Sequence, residues 1–219
     1  MHALQAHPQS FDQVARGDAA SVYVVDQDAS VRDMLESLIR AAGWRVASFA
    51  TAEEFLLQSR NAAPGCLILD LAPPLLDGPA FQEIAAHRRL LPVVFVTAFR
   101  DVMMTVRAMK AGAVDFLTKP IHTAAILAAV QCALERSRVA LEHEASLCTL
   151  RHRYLSLTVR EREVMGLVVS GLLNKQIGAE LGISEVTVKA HRGKLMRKIA
   201  ARSLAELVTL AARLRLNAG

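Results

Sequence analysis

The chain has 219 residues, of which 53% are hydrophobic and 21% are charged, and it carries a formal net charge of +5. This composition excludes a chain too polar to bury a core and is typical of a globular protein. No apolar run is long enough to span a bilayer, and residues 1–20 lack the basic start and apolar centre of a signal peptide. We therefore expect a cytoplasmic protein without a membrane partner.

Charge divides the chain into two parts. Residues 1–150 hold 13 Lys and Arg against 16 Asp and Glu, whereas residues 151–219 hold 13 against 5. An acidic larger part followed by a basic smaller part indicates two domains, and the second suits a polyanion. The alternative is a basic solvated surface. The three cysteines show no metal-ligand spacing, so we expect neither a disulfide nor a cysteine metal site.

The acidic part alternates apolar runs with helical patterns. The runs predict strands at residues 22–26, 44–49, 66–70, 93–97 and 114–117. The helices between them are predicted after Ser30 and up to Gly43, at residues 52–57, through Phe81 and Ile84, and after Asp101. This alternation predicts a parallel sheet with helices on both faces. Residues 1–20 show no pattern and are expected to form a flexible tail.

Four of these strands end in a polar residue. The residues are Asp26, Asp70, Thr97 and Lys119. Because parallel strands share one carboxyl edge, where ligands bind in open α/β sheets, we expect the four side chains to lie together. A carboxylate there can be a nucleophile or a metal ligand. The alternative for Asp70 alone is a loop or helix-capping residue.

Residues 122–150 have a continuous helical pattern with an interruption at Ser137 and Arg138. We interpret the pattern as the last helix of the first domain continuing into a linker. A single amphipathic helix packed on its own domain is the alternative, and the spacing does not separate the two.

The basic part has the plan of a helix-turn-helix domain. Thr158 and Glu161 predict a capping box at its start. Helices are predicted at residues 160–170, 174–181, 185–199 and 203–214, and the third has Val186, Leu195 and Ile199 as its inward apolar side. A short helix, the turn Leu181-Gly182-Ile183-Ser184 and a basic helix form the helix-turn-helix itself.

Two sets of residues resemble known families. Asp26-Gln27, Asp70, Thr97, Lys119-Pro120 and the stretch 108–117 resemble the receiver domain of two-component response regulators, and the stretch is close to the FixJ branch. Residues 157–164, 174–177 and 187–192 resemble the LuxR/FixJ/NarL output domain. The resemblance implies a receiver domain at 21–135 and a LuxR-type helix-turn-helix domain at 156–219, and we expect the uncovered segments to be the flexible tail at 1–20 and a helical linker at 136–155. The implied fold is a five-stranded, parallel, doubly wound α/β receiver followed by a small all-α domain.

The resemblance to receivers implies that a histidine kinase phosphorylates Asp70. A carboxylate attacking phosphorus needs its target's negative oxygens neutralised, which Mg²⁺ and the Lys119 ammonium would do. The implied metal ligands are Asp26, Gln27, Asp70 and the backbone carbonyl of Ala72. Thr97 would donate its hydroxyl to a phosphoryl oxygen, and Thr97 and Phe116 would form the switch pair. For Phe116 an ordinary core phenylalanine is an equal alternative.

The sequence departs from the receiver pattern at three places. Gln27 stands where the family usually has a second acidic metal ligand, and Asp28 is one residue too far along to replace it. Because Mg²⁺ prefers charged oxygen donors, we expect weaker metal binding and slower phosphorylation. Residues 71–74 and 98–100 also differ from the family pattern, so switching is expected to be altered.

The resemblance to LuxR-type domains places the basic helix 185–199 in the major groove of double-stranded promoter DNA. Lys189, Ala190 and Gly193 would face the bases, with Lys189 at a guanine edge and Ala190 at a thymine methyl group. The residues expected at phosphates are Asn174, Lys175, Thr187, His191, Arg192, Lys194 and Arg197. The last helix resembles the family's dimerisation helix, so an active homodimer is expected, with RNA polymerase as a further partner.

We therefore expect a transcription regulator and not an enzyme. The main alternative keeps DNA binding but makes the receiver a phosphorylation-independent dimerisation or sensing module, because of Gln27. The remote alternative is a phosphatase of the haloacid-dehalogenase type, suggested by Asp26-Gln27-Asp28 followed by Thr97 and Lys119. It leaves Asp70 and the basic tail unexplained.

Overall fold

The computed structural model describes residues 20–58, 63–71, 79–87, 89–98 and 113–215. The chain divides into two compact units, Met1–Leu141 and Glu142–Gly219. The predicted tail up to residue 19, residues 72–74 of the first departing segment and the helix predicted after Asp101 lie outside the described residues. The domain boundaries at residues 21, 136 and 156 stay predictions.

The first unit is built on one parallel sheet. Its strands are β1 (Ser21–Val25), β2 (Arg45–Phe49), β3 (Gly65–Asp70), β4 (Val93–Thr97) and β5 (Asp115–Thr118). The order across the sheet is β2-β1-β3-β4-β5, and every neighbouring pair is parallel. The predicted α/β fold is confirmed, and each strand lies within two residues of its predicted range.

Helices cover both faces of this sheet. They are α1 (Ala29–Ala41), α2 (Ala52–Leu56), α3 (Pro79–His87) and the beginning of α4 (Thr123–Leu155). Leu35 of α1 and Ile126 of α4 pack on one face, whereas Phe55 of α2 and Ile84 of α3 pack on the other. Because β3 and β4 are buried on both faces, their sequences are continuous apolar runs.

The sequence predicted Ser30 as the cap of helix α1, but the structure has Asp28 there. The Asp28 carboxylate accepts hydrogen bonds from the backbone N–H of Ser30 at 2.9 Å and from its hydroxyl at 2.5 Å. A capping side chain accepts from the second or third residue of its helix, which is the position that Ser30 fills. Gly43 follows the helix with a φ of +88°, as its predicted role as the helix stop requires.

Helix α4 continues without a break through the interruption predicted at Ser137. The Ser137 side chain is buried, donates a hydrogen bond to the carbonyl of Leu90 at 2.6 Å and accepts one from the N–H of Gly65 at 3.0 Å. The polar residue thus satisfies two backbone groups inside the sheet unit, one at the start of β3 and one in the segment between α3 and β4. The helix is longer than the predicted 122–150, and its Leu150 lies in the core of the second unit.

The second unit is helical. Its helices are α5 (Val159–Val169), α6 (Asn174–Leu181), α7 (Glu185–Ile199) and α8 (Leu204–Arg215), which confirms the predicted small all-α domain. The predicted capping box is present: the N–H of Glu161 donates to the Thr158 hydroxyl at 3.2 Å, and the Thr158 N–H donates to the Glu161 carboxylate at 2.9 Å.

One prediction for α7 is wrong. Val186 does not face inward; its side chain is 76% exposed, and Val188 is buried instead. Val188, Leu195 and Ile199 are spaced by seven and four residues, which places them on one helical face. Val186 lies two residues before Val188, on the far side of the helix.

Close packing shapes the turn between α6 and α7. Gly182 ends α6 in the left-handed conformation, with φ +67° and ψ +31°. The N–H of Ile183 donates to the carbonyl of Gly178 at 3.0 Å. A Cβ atom on Gly178 would lie 2.8 Å from the Ile183 carbonyl oxygen, so only glycine lets the turn lie this close to α6.

None of the helices in the described ranges combines the length and the apolar character needed to cross a membrane.

Candidate functional site

The sheet brings the polar strand ends to one edge. Asp26 follows β1, Asp70 is the last residue of β3, Thr97 ends β4 and Lys119 follows β5. The N–H of Asp26 bonds the carbonyl of Phe49, and the N–H of Lys119 bonds the carbonyl of Thr97. These backbone bonds extend the sheet one residue past its strands, and they hold Asp26 and Lys119 at the carboxyl edge.

The Lys119 ammonium lies between two carboxylates. Its Nζ atom is 2.7 Å from Oδ2 of Asp26 and 3.4 Å from Oδ2 of Asp70. The side chains of Asp26, Asp70 and Lys119 are 3%, 16% and 20% exposed. One cation thus balances two acidic groups that are largely shielded from water.

The surroundings of Asp70 disfavour its charged form. Burial raises the pKa of Asp70, and the neighbouring Asp26 carboxylate raises it further against the opposing effect of Lys119. Burial also acts to lower the pKa of Lys119, but the hydrogen bond to Asp26 and the charge of Asp70 outweigh it, so the pKa of the ammonium is raised. A further cation at this edge would relieve the excess of negative charge.

Backbone and side-chain hydrogen bonds fix the loop after β1. Oδ1 of Asp26 accepts the N–H of Asp28 at 2.9 Å. The guanidinium of Arg32 donates to the backbone carbonyls of Asp26 at 2.7 Å and of Gln27 at 3.0 Å. Gln27 is exposed, and Asp28 holds the N-cap of α1, where hydrogen bonds from Ser30 lower the pKa of its carboxyl group.

The predicted switch residues and the carbonyl ligand have different placements. Thr97 is buried, and its hydroxyl donates to the backbone carbonyl of Leu71 at 2.9 Å. Phe116 is half-buried in β5 and packs against the core between the sheet and α2 and α3. Ala72, the predicted carbonyl ligand, lies outside the described residues.

The donor set fits a hard divalent cation. The described ranges contain no group of three or more His, Cys, Asp and Glu side chains that could hold a metal. They do place the carboxylates of Asp26 and Asp70 beside one atom, Nζ of Lys119, with the exposed Gln27 next to Asp26 in the chain. Mg²⁺ binds through one or two carboxylates and keeps several waters, so this set is sufficient for it.

In the second unit, the residues predicted to face bases lie on one exposed side of α7. Lys189, Ala190 and Gly193 are all exposed. The Lys189 ammonium lies 3.0 Å from the Glu185 carboxylate, in a pair that is itself exposed. A Cβ atom on Gly193 would meet nothing within 4 Å, so packing inside the protein does not require glycine there.

The residues predicted to contact phosphates form smaller groups. Arg192 donates to the side-chain carbonyl of Asn174 at 3.1 Å, which joins α7 to the start of α6. The Thr187 N–H donates to the Ser184 hydroxyl at 3.1 Å, and Nε of Arg197 donates to the Gly193 carbonyl at 3.4 Å. Lys175 and Lys194 are exposed, and His191 is half-buried.

Sequence reasoning missed two basic residues whose hydrogen bonds stabilise the structure, Lys198 and Arg32. Lys198, counted among the basic residues of α7, donates to the Glu161 carboxylate at 2.7 Å and to the Ser156 carbonyl at 3.2 Å. Glu161 is 2% exposed, and the bond from Lys198 lowers the pKa of its carboxyl group. The second residue is Arg32, which holds the loop carrying Asp26.

Two protein-family models match the chain. Residues 22–131 match the model described as the response regulator receiver domain. Residues 155–211 match the model described as bacterial regulatory proteins of the luxR family. The two matches fall within the sheet unit and across the helical unit respectively.

Curated relatives match over nearly the full length. Nodulation protein W of Bradyrhizobium diazoefficiens is 43% identical over 200 residues, covering 91% of this chain and 88% of that protein. The response regulator protein TmoT of Ectopseudomonas mendocina is 38% identical over 214 residues, covering 97% of each. The transcriptional regulatory protein FixJ of Bradyrhizobium diazoefficiens is 38% identical over 193 residues, covering 88% and 94%.

Solved structures of response regulators are also similar to this chain. The response regulator StyR superposes with a TM-score of 0.76 at 43% identity, covering 89% of this chain and 99% of that one. Full-length FixJ from B. japonicum superposes with a TM-score of 0.50 at 37% identity, covering 90% and 97%.

Proposed function

This chain belongs to the two-component response regulators that join a receiver domain to a LuxR-type DNA-binding domain, and from that premise we propose that a histidine kinase phosphorylates it on Asp70. The chain is thus a DNA-binding regulator of transcription, in a family of regulators and not of enzymes. The observation that carries the proposal is the position of Lys119 between Asp26 and Asp70.

The acidic edge has the groups that phosphoryl transfer to a carboxylate needs. An oxygen of Asp70 would attack the phosphorus, and the bond from phosphorus to the donor would break and leave its electrons on the donor. Lys119 is already 3.4 Å from the Asp70 carboxylate, within reach of the oxygens of the arriving group. Asp26, Gln27, Asp70 and the carbonyl of Ala72 would hold Mg²⁺, which would neutralise the remaining negative charge of the phosphoryl group.

The switch and the output follow from the same proposal. Thr97, whose hydroxyl is bonded to Leu71, would move its hydrogen bond to the new phosphoryl group, and Phe116 would turn inward behind it. The modified receiver would then release the output domain to dimerise on DNA. Leu204 and Val208 of α8 are 44% and 40% exposed, which supports that helix as the contact between two output domains.

At the DNA, Lys189, Ala190 and Gly193 would face base edges. The phosphates would be contacted by Asn174, Lys175, Thr187, His191, Arg192, Lys194 and Arg197. The exposed side of α7 supports this assignment. Replacing Lys189 by Ala is expected to change sequence preference, whereas replacing Arg197 by Ala is expected to weaken binding to all sequences about equally.

Phosphorylation is tested by incubating the protein with acetyl phosphate and Mg²⁺ and measuring its intact mass. We expect one phosphoryl group on the wild type and none on Asp70→Asn. Asp33→Asn, an exposed aspartate of α1, is the matched control and should be modified like the wild type. Modification of Asp70→Asn to the wild-type extent would refute the assignment.

DNA affinity with and without phosphodonor decides whether phosphorylation controls the output. The wild type is expected to bind its promoter more tightly after treatment, and Asp70→Asn is expected not to respond. Equal affinity in both states would favour the phosphorylation-independent alternative. Neither that alternative nor the phosphatase gains support from the relatives, which are named as regulators.

A further inference from the structure

Val186 occupies the first turn of α7 in a defined orientation. Ser184 caps the helix by accepting the N–H of Thr187 at 3.1 Å, and its hydroxyl lies 2.8 Å from the Thr187 hydroxyl. The buried Val188, two residues after Val186, fixes the rotation of the helix on the domain core. Val186 therefore projects away from the core, with 76% of its surface exposed.

Exposure by itself does not indicate a function for Val186, because single exposed apolar residues are common on proteins. Its spacing from the residues predicted to face the bases does indicate one. Val186, Lys189, Ala190 and Gly193 stand at positions i, i+3, i+4 and i+7, which form one continuous stripe along a helix. All four are exposed, so Val186 is the N-terminal member of the surface that the proposed function places against the bases.

The N-terminal end of a recognition helix is the part that contacts base edges in the major groove. A valine there offers two methyl groups and no hydrogen-bonding atom. The apolar group that a base pair presents in the major groove is the C5-methyl group of thymine. We propose that Val186 determines specificity by packing against a thymine methyl group, an inference that rests on the proposed function of α7.

The experiment removes the methyl groups one at a time. Duplexes are selected from a random library with the full chain, with and without acetyl phosphate and Mg²⁺. Each thymine of the selected site is then replaced by deoxyuridine, which lacks the C5-methyl group. Fluorescence anisotropy measures the affinity of the wild type and of Val186→Ala for every duplex in the tighter-binding state.

At one thymine per half-site we expect deoxyuridine to weaken wild-type binding about fourfold, the effect of losing one buried methyl group. At the same position it should leave Val186→Ala binding unchanged. Val186→Thr, which keeps the branched shape but replaces one methyl group by a hydroxyl, should give an intermediate loss. The control is Val159→Ala, at a valine that is 71% exposed at the start of α5; its deoxyuridine profile should match the wild type.

The outcomes separate this inference from the function on which it rests. If Lys189→Ala changes the selected sequence but Val186→Ala keeps the wild-type deoxyuridine profile, the thymine contact is refuted and the DNA-facing role of α7 stands. A profile without any sensitive thymine also refutes it. A selection that enriches no sequence refutes the base-facing role of α7 and the Val186 contact together.

Discussion

Lys119 donates a 2.7 Å hydrogen bond to Asp26, a residue 93 positions earlier in the chain. The bond is shorter than the 3.4 Å approach of the same ammonium to Asp70. Lys119 thus lies closer to Asp26 than to Asp70, the predicted phosphoacceptor.

Replacing Lys119 by Met is expected to lower the free energy of unfolding of the sheet unit by about 1–3 kcal/mol, because two shielded carboxylates lose their shared cation. Saturating Mg²⁺ should recover part of the loss. Urea unfolding followed by Trp44 fluorescence measures both effects. Lys194→Met, at an exposed lysine of α7, is the control and should leave this transition unchanged.

Replacing Gln27 by Asp is expected to tighten Mg²⁺ binding about tenfold, since a charged oxygen ligand joins Asp26 and Asp70. The rate of modification by acetyl phosphate should rise with it. Isothermal titration calorimetry with Mg²⁺ and a time course of intact mass measure the two. Gln27→Asn keeps a neutral amide and should behave like the wild type. Equal Mg²⁺ affinity in Gln27→Asp would show that the neutral residue does not limit the site.

Replacing Glu161 by Gln is expected to destabilise the helical unit by about 1–2 kcal/mol at neutral pH, through loss of a charged hydrogen bond from Lys198. The Lys198 bond lowers the pKa of Glu161 in the folded state. Its stabilisation is therefore complete above the ordinary value of 4.5 and is lost as the pH falls through the lower, folded value. The wild type and Glu161→Gln should accordingly converge in acid.

Hydrogen–deuterium exchange of peptides from α5 and α7 measures this difference across pH. Glu163→Gln is the neighbouring control, because Glu163 pairs with Arg160 in an exposed contact at 2.8 Å. A Glu161→Gln deficit that persists unchanged at low pH would contradict the role given to the ion pair.

Two glycines of the helix-turn-helix are expected to respond oppositely to alanine. Gly178→Ala should destabilise the helical unit by about 1–3 kcal/mol, since its Cβ would lie 2.8 Å from the Ile183 carbonyl. Gly193→Ala should stabilise it by about 0.5–1 kcal/mol, because the site is open and alanine favours helix. Hydrogen exchange measures stability in both variants.

DNA affinity gives Gly193 a second test. If the backbone of α7 approaches DNA closely at this residue, Gly193→Ala should bind DNA more weakly although it is more stable. A variant that gains stability and keeps full DNA affinity would remove Gly193 from the interface.

Much of the sheet was predictable because its central strands are buried on both faces. That burial imposes short apolar runs such as 66–70, and parallel strands place the polar residue after each run at one edge. The clustering of Asp26, Asp70 and Lys119 followed from topology alone. The distances did not, because the partner of a long side chain such as Lys119 depends on packing around the loops.

Two misses in the helical unit have different causes. The spacing of α7 already excluded Val186 as an inward residue, because nine residues separate it from Leu195 and place the two on opposite sides of the helix, whereas Val188 lies seven residues before Leu195 on the same face. The ion pair of Lys198 with the buried Glu161 joins residues 37 positions apart, so the pattern of α7 alone could not indicate it. The end of α7 at Ile199 was predicted correctly, although Ala200 adopts the left-handed conformation with φ +62° at a position where glycine is more usual.

Asp26, Asp70, Thr97 and Lys119 come from four strands, and the last of them joins the sheet through β5. A fragment that stops before residue 119 lacks Lys119, and a chain whose β5 has detached no longer holds Lys119 beside Asp26 and Asp70. A kinase that requires these three side chains together would therefore phosphorylate only completely synthesised and folded receivers. Nascent and partly unfolded copies would remain unphosphorylated and inactive at the promoter, without a separate quality-control step.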